Sequence, residues 1–215
     1  MAKKYRFLED LPERFEASFG KLAVPFVAIM WGNSGQGKTN LLMQILRILC
    51  KYGKVLYVSL EEGHEATLQA TVARQLADVP EIHGQVLFAD SSMKYEVLCE
   101  RLRKRKSPRF IIIDSLQYWD ISPEQYVALK EEFRTKSFMF ISHATGKEPK
   151  GPVAIRIRYD APLKIHVDGF VAFIVSRFGG NAPYIIWEEG AKRYWGKKYK
   201  SVTKGAIAPP KPATT

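Results

Sequence analysis

The octet Gly32-Asn33-Ser34-Gly35-Gln36-Gly37-Lys38-Thr39 follows directly on the apolar run Phe26-Val27-Ala28-Ile29-Met30-Trp31 and constrains this chain more than any other feature. Glycines at those positions let the backbone curl until successive N–H groups face inward, where they can bind phosphate oxygens. Lys38 adds a point charge for the β- and γ-phosphates, and the Thr39 hydroxyl a ligand for Mg²⁺. Such a loop needs a strand before it and a helix after it. Lys38 to Lys51 carries Leu41, Leu42, Ile45, Leu46 and Leu49 at helical spacing, with Gly53 as a stop signal. The N-terminus of that helix would point at the phosphates. Asn33, Ser34, Gly35, Gln36, Gly37, Lys38, Thr39 and Asn40 are the expected nucleotide-binding residues, with ATP and Mg²⁺ as ligands. A glycine-rich turn without a ligand is the plain alternative, and the spacing and both flanks argue against it.

The remaining pattern alternates strands and helices. Val55 to Leu60, Val86 to Ala89, Phe110 to Ile113, Phe138 to Ile141, Phe170 to Val175 and Tyr184 to Trp187 read as strands. Glu65 to Ala77 and Met93 to Lys104 read as helices, and Ser122-Pro123-Glu124-Gln125 opens another with an N-cap, an N1 proline and a capping-box glutamine. The expected fold class is α/β, a mostly parallel central sheet flanked by helices, with an antiparallel hairpin near the C-terminus turning at Gly179-Gly180-Asn181. The stretch from His143 to Pro162 reads as one long loop, of a length that is usually functional or disordered. The organisation expected is an N-terminal extension over 1–23, a nucleotide-binding domain over 24–190 and a basic, flexible tail over 191–215. In the extension, Phe7, Leu8, Leu11 and Phe15 form an apolar stripe that either packs on a neighbouring subunit or seals the chain's own core.

Composition narrows the partners. A net charge of +11 on 215 residues raises nucleic acid above an acidic small molecule. Basic residues gather at 101–109, at 147–164 and after Glu189, the first of these being equally readable as a cation-rich helix end. Cys50 and Cys99 sit among apolar neighbours and read as buried thiols of a reducing compartment. The apolar runs are strand-sized and no signal peptide is visible, so the expectation is a cytoplasmic protein without a membrane partner.

Three residues at strand ends complete a candidate catalytic set. Asp114 closes the apolar strand that begins at Phe110 and can hold the Mg²⁺ shell, its alternative role being a turn or helix cap. Glu61 follows Val55 to Leu60 and can orient or deprotonate a water in line with the γ-phosphate, the alternative being an ordinary helix-start glutamate. His143 ends Phe138 to Ser142 and can contact the γ-phosphate as a sensor, the alternative being a lone histidine with no role in the site.

The set Gly32 to Thr39, Tyr57 to Gly63, Ile111 to Gln117, Ile141 to Thr145 and Ser176-Arg177-Phe178-Gly179 resembles the ordered motifs of RecA-like P-loop ATPases, nearest the RadA/Sms and DnaB-type helicase branch. The resemblance covers about residues 24–190. It implies that Glu61 activates the attacking water, that His143 is the polar sensor and that Arg177 is an arginine finger reaching a neighbouring subunit's γ-phosphate. It also implies DNA contact by the basic loop after His143, where Lys147, Lys150, Arg156, Arg158 and Lys164 would track phosphates and Tyr159 stack on a base. Val175-Ser176-Arg177 departs from the Lys-Asn-Arg common in the family, so one basic partner of the finger is absent. Zinc-binding cysteines like those of RadA/Sms are missing from the sequence.

The leading expectation is an oligomeric, DNA-stimulated ATPase of recombination or replication, a helicase or recombinase working on single-stranded DNA as a ring or filament. The alternative is an ATP-switched assembly or regulatory protein that binds a protein partner with slow or no turnover. A small-molecule kinase would leave the basic loop and Arg177 unexplained, and a GTPase lacks its Asn-Lys-x-Asp base reader. No adenine reader is evident in the sequence.

Overall fold

The computed structural model describes residues 6–61, 72, 76–79 and 84–210. In chain order the described strands are β1 (Arg6–Phe7), β2 (Ala23–Val24), β3 (Val27–Trp31), β4 (Val55–Ser59), β5 (Val86–Ala89), β6 (Phe110–Asp114), β7 (Ser137–Ser142), β8 (Ala144–Thr145), β9 (Glu148–Pro149), β10 (Leu163–Asp168), β11 (Val171–Ser176) and β12 (Tyr184–Ile185). The described helices are α1 (Glu13–Phe19), α2 (Lys38–Leu49), α3 (Tyr95–Arg103), α4 (Pro123–Glu132), α5 (Pro152–Asp160), α6 (Glu188–Trp195) and α7 (Tyr199–Val202). The expected helix from Glu65 to Ala77 falls mostly outside the described residues.

An eight-stranded sheet in the order β12-β11-β10-β3-β7-β6-β4-β5 organises the molecule. From β10 through β5 neighbouring strands run parallel, while β10–β11 and β11–β12 are antiparallel. The fold is therefore the mixed α/β sheet read from the sequence, with antiparallel strands added at its C-terminal side. Continuous apolar sequence explains the centre: Phe110 to Ile113 and Phe138 to Ile141 are each at most 2% exposed, because both faces of the sheet are covered there. One face packs α2 and the N-terminal residues Leu8, Leu11, Phe15 and Phe19. The other packs α3, α4 and α5 around Trp119, Phe138 and Phe140. Helix α4 starts as the sequence reads, with Ser122 and Gln125 exchanging both capping-box hydrogen bonds.

Three sequence readings need correction. The segment His143 to Pro162 is ordered: a small β8–β9 hairpin followed by α5, whose Gly151-Pro152 start is a helix signal that the surrounding Gly and Pro obscured. Strand β10 goes unread in the sequence, although Leu163-Lys164-Ile165-His166-Val167-Asp168 alternates buried with partly exposed positions along its whole length. Residues 191–202, read as the start of a flexible tail, continue α6 and form α7, since Gly190 and Ala191 are buried and Trp195 donates its indole N–H to the Gly169 carbonyl at 3.1 Å.

The N-terminal stripe seals the chain's own core, except for Phe7, which is half exposed. Phe15 and Phe19 stack at 4.1 Å and both meet the Tyr184 ring edge-on. Arg14 donates to the Tyr184 hydroxyl at 3.0 Å and to the Ile185 carbonyl. The loop between β11 and β12 lies on the end of α1, where Asn181 N–H bonds Ser18 O at 2.9 Å and Lys21 N–H bonds Phe178 O at 3.1 Å.

Candidate active site

The loop after β3 has the backbone that a phosphate cradle requires. Gly35 and Gly37 hold φ of 74° and 98°, a region that side chains rarely adopt, and a Cβ on Gly35 would meet nothing within 4 Å. The rim of the loop is thus open space. Lys38 folds back over it, its ammonium donating to the Gly32 carbonyl at 2.9 Å and the Asn33 carbonyl at 2.8 Å. Desolvation lowers the Lys38 pKa against the opposing pull of Asp114 and Glu61. A cation held in a partly dry loop by neutral carbonyls favours an incoming anion.

Parallel strands deliver the remaining groups to the same edge. Asp114 ends β6, Glu61 follows β4 and His143 follows β7, each at the carboxyl end of its strand, as Gly32 is at the end of β3. Their electrostatics are coupled. Desolvation raises the Asp114 pKa and Glu61 adds to the rise, while the Tyr57 hydroxyl bond at 2.6 Å and Lys38 oppose it. Desolvation and then Lys38 lower the His143 pKa, with Glu61 pulling the other way, which favours the neutral imidazole. Tyr118 links two of these groups, its hydroxyl 3.5 Å from Glu61 Oε1 and its ring 6.1 Å edge-on from that of His143.

Thr39 and Asp114 are hard oxygen donors of the kind Mg²⁺ takes. Among the described residues no group of three or more His, Cys, Asp or Glu could hold a metal by itself. Mg²⁺ at this loop would complete its shell from phosphate oxygens and water, which suits a metal that arrives with a nucleotide. An Asp114→Asn variant should lose turnover and yet melt at a temperature no lower than the parent. The sign follows from the raised pKa: the carboxylate costs the fold stability as pH rises above its unfolded value, and asparagine removes that cost. Thermal melts at pH 7 without nucleotide check this, and a clearly lower melting temperature would contradict it.

Arg177 stands apart from the other four. Strand β11 is antiparallel to β10, so Ser176 pairs Leu163, which in turn pairs Ala28 at the start of β3. The exposed Arg177 lies beyond that level, its N–H bonded to the Pro162 carbonyl at 3.0 Å. With about 3.3 Å per residue along β3, the cradle lies more than about 13 Å away, at the opposite edge of the sheet. It cannot serve its own chain's cradle.

The five cations expected to track DNA do not form one loop. Lys147 and Lys150 are exposed on and beside the β8–β9 hairpin, Arg156 is exposed on α5 and Lys164 is half-buried on β10. Arg158 is engaged by Glu148 at 2.9 Å and lies 5.6 Å from the Trp31 ring centre, so its charge is spent locally. Tyr159 is 70% exposed and available to stack. The basic segment at 101–109 behaves as a helix end, with Arg103 forked onto Glu132 at 2.6 and 3.0 Å.

Gln117, a member of the motif after Asp114, has a role that strand and helix periodicity did not disclose. Its side chain accepts from His143 N–H at 2.8 Å and donates to Ser142 Oγ at 3.0 Å and to the Lys150 carbonyl at 2.8 Å. It ties the end of β7 to the hairpin that carries Lys147. A polar side chain just beyond a buried strand was the available signal.

Comparison with known proteins agrees with this architecture. The "DNA repair protein RadA" of Salmonella typhimurium is 32% identical over 117 residues, 51% of this chain and 24% of that protein. The Escherichia coli protein of the same description is 30% identical over 125 residues, 55% of this chain and 26% of its own length. The chain thus spans about a quarter of the length of these curated relatives. Among solved structures, a KaiC-like protein from Pyrococcus horikoshii superposes with a TM-score of 0.60 at 18% identity, covering 81% of this chain and 88% of that one. The flagellar accessory protein FlaH of Methanocaldococcus jannaschii does so with 0.58 at 17% identity, covering 80% and 88%. A family model described as an AAA domain matches residues 11–120, about half of the 215-residue chain. On that match and on its sheet, the chain belongs to the AAA domain family, among the RecA-like P-loop ATPases.

Proposed function

We propose that this chain hydrolyses ATP at interfaces between its own copies and couples the hydrolysis to single-stranded DNA, in recombination, repair or replication. The observation that carries the reading is the gathering of Lys38, Asp114, Glu61 and His143 at one sheet edge while Arg177 stands at the other. An active centre divided in this way is completed by a second subunit. Asn33 through Asn40 would wrap the phosphates, and Mg²⁺ held by Thr39 and Asp114 would neutralise charge building on the transferred phosphoryl group. Glu61 would take or orient the proton of the attacking water, and neutral His143 would donate a hydrogen bond to the γ-phosphate.

DNA is favoured by the net charge of +11, by the exposed Lys147, Lys150 and Arg156, and by the two relatives described as DNA repair proteins. Gln117 offers the route from nucleotide to DNA, because it holds both His143 and Lys150. Neutralising Lys147, Lys150, Arg156, Arg158 and Lys164 together should abolish DNA binding at moderate salt. Before that, the slope of log affinity against log salt should shrink by about 0.7 for each exposed cation removed. Arg158→Ala alone should change it least, given its ion pair with Glu148. Fluorescence anisotropy with an oligonucleotide measures both quantities; affinity that survives all five changes would remove DNA from the proposal. The spent charge of Arg158 favours a second reading, an ATP-switched assembly protein, and ATP turnover indifferent to DNA is the result that would select it.

A further inference from the structure

The order of the strands gives the cradle two unlike flanks. Strands β7, β6 and β4, which carry His143, Asp114 and Glu61, all lie on one side of β3, and this is the side that the γ-phosphate must face. On the other side lies β10, joined to β11 by the turn Gly169-Phe170. That turn is fastened to the phosphate loop: Gly169 N–H bonds Gln36 Oε1 at 2.5 Å and Phe170 N–H bonds Gln36 O at 3.2 Å. Phe170 has a φ of 61°, an unusual conformation for a bulky residue, and a Cβ on Gly37 would come within 3.2 Å of its ring. The ring is held against the cradle despite the backbone cost. Behind it Trp187 meets Phe170 edge-on at 5.1 Å, over Gly190, where a Cβ would lie 2.3 Å from the indole. Arg193 sits 5.0 Å from the centre of the Trp187 ring, and Trp187 remains 40% exposed.

The Phe170 ring thus lies against the phosphate loop, Trp187 packs behind it with its indole left open to water, and Arg193 lies over that indole. We infer that Phe170, Trp187 and Arg193 form a stacking shelf for the purine base of the bound nucleotide, on the flank of the cradle away from Asp114. This rests on the proposal that the cradle binds ATP. A triphosphate with its γ end toward β7 and β6 directs its nucleoside toward β10 and the shelf. Indole and guanidinium surfaces recognise a base by its π-face, without reading its edge. The shelf lies outside residues 11–120, so base recognition belongs to a part of the chain that the family match does not reach.

Equilibrium binding of ATP and of inorganic tripolyphosphate, each with Mg²⁺, separates shelf from cradle. Trp187→Ala should weaken ATP by about tenfold or more and leave tripolyphosphate unchanged, while Trp187→Phe should restore most of the ATP affinity. Arg193→Ala, at an exposed position where folding is not at stake, should weaken ATP in the same selective way. Unchanged ATP affinity in both alanine variants overturns the shelf, as does an equal loss for both ligands. Parent protein that binds the two ligands equally also removes the shelf while sparing the cradle; parent protein that binds neither removes the cradle reading itself.

Discussion

Replacing Lys38 with alanine is expected to lower ATP turnover at least about a hundredfold, the scale set by removing one preorganised donor to an oxyanion that develops in a transition state. The expectation comes from the electrostatics of the loop as much as from the motif. The ammonium has two carbonyl partners and, among the described residues, no carboxylate within ion-pair distance, and desolvation lowers its pKa. A phosphate arriving there would reverse that cost, so charge neutralisation favours binding and strengthens as the transferred group gathers charge. The variant should fold without penalty, because a group with a depressed basic pKa costs stability while it is charged. Phosphate release and nucleotide affinity, measured beside a thermal melt, test both halves. Turnover within tenfold of the parent would remove Lys38 from the chemistry.

Arg177→Ala should cost about a thousandfold in turnover, the lower end of what arginine fingers supply, with little change in ATP affinity. The sheet places this residue at the edge remote from its own cradle, so in the proposed assembly its target would be the cradle of a neighbour. A sharper outcome follows from mixing. Lys38→Ala subunits keep an intact Arg177, and Arg177→Ala subunits keep an intact cradle, so a mixture of two inactive preparations should recover part of the activity at the interfaces that unite the two. A mixture as inactive as its components would mean that Arg177 does not act across an interface.

Local signals in the sequence lay out most of this site. A phosphate loop is contiguous, and buried parallel strands end where their apolar runs end, so the pattern of residues alone puts Asp114, Glu61 and His143 together at one edge. The segment from His143 to Pro162 is obscured for a physical reason: Gly146, Pro149, Gly151, Pro152 and Pro162 are turn signals, and they also serve as the start of α5 and the entry to β10. Arg158 looks like a free cation in the sequence, because its contact with Glu148 joins two elements of opposite type. The shelf is illegible there because it brings a turn, a residue before a helix and a residue within that helix onto the far side of Gln36. Neither period nor motif encodes such a meeting.

The lashing of α1 to the β11–β12 loop bears on how this chain could be trimmed. Residues ahead of Ala23 look dispensable to a nucleotide site that begins after β3, yet Phe15 and Phe19 plug the core and Ser18 and Lys21 moor the residues just beyond Arg177. A fragment cut to begin at the phosphate-loop strand would lose the brace that aims its outward-facing arginine, and with it the angle at which one molecule could address the next.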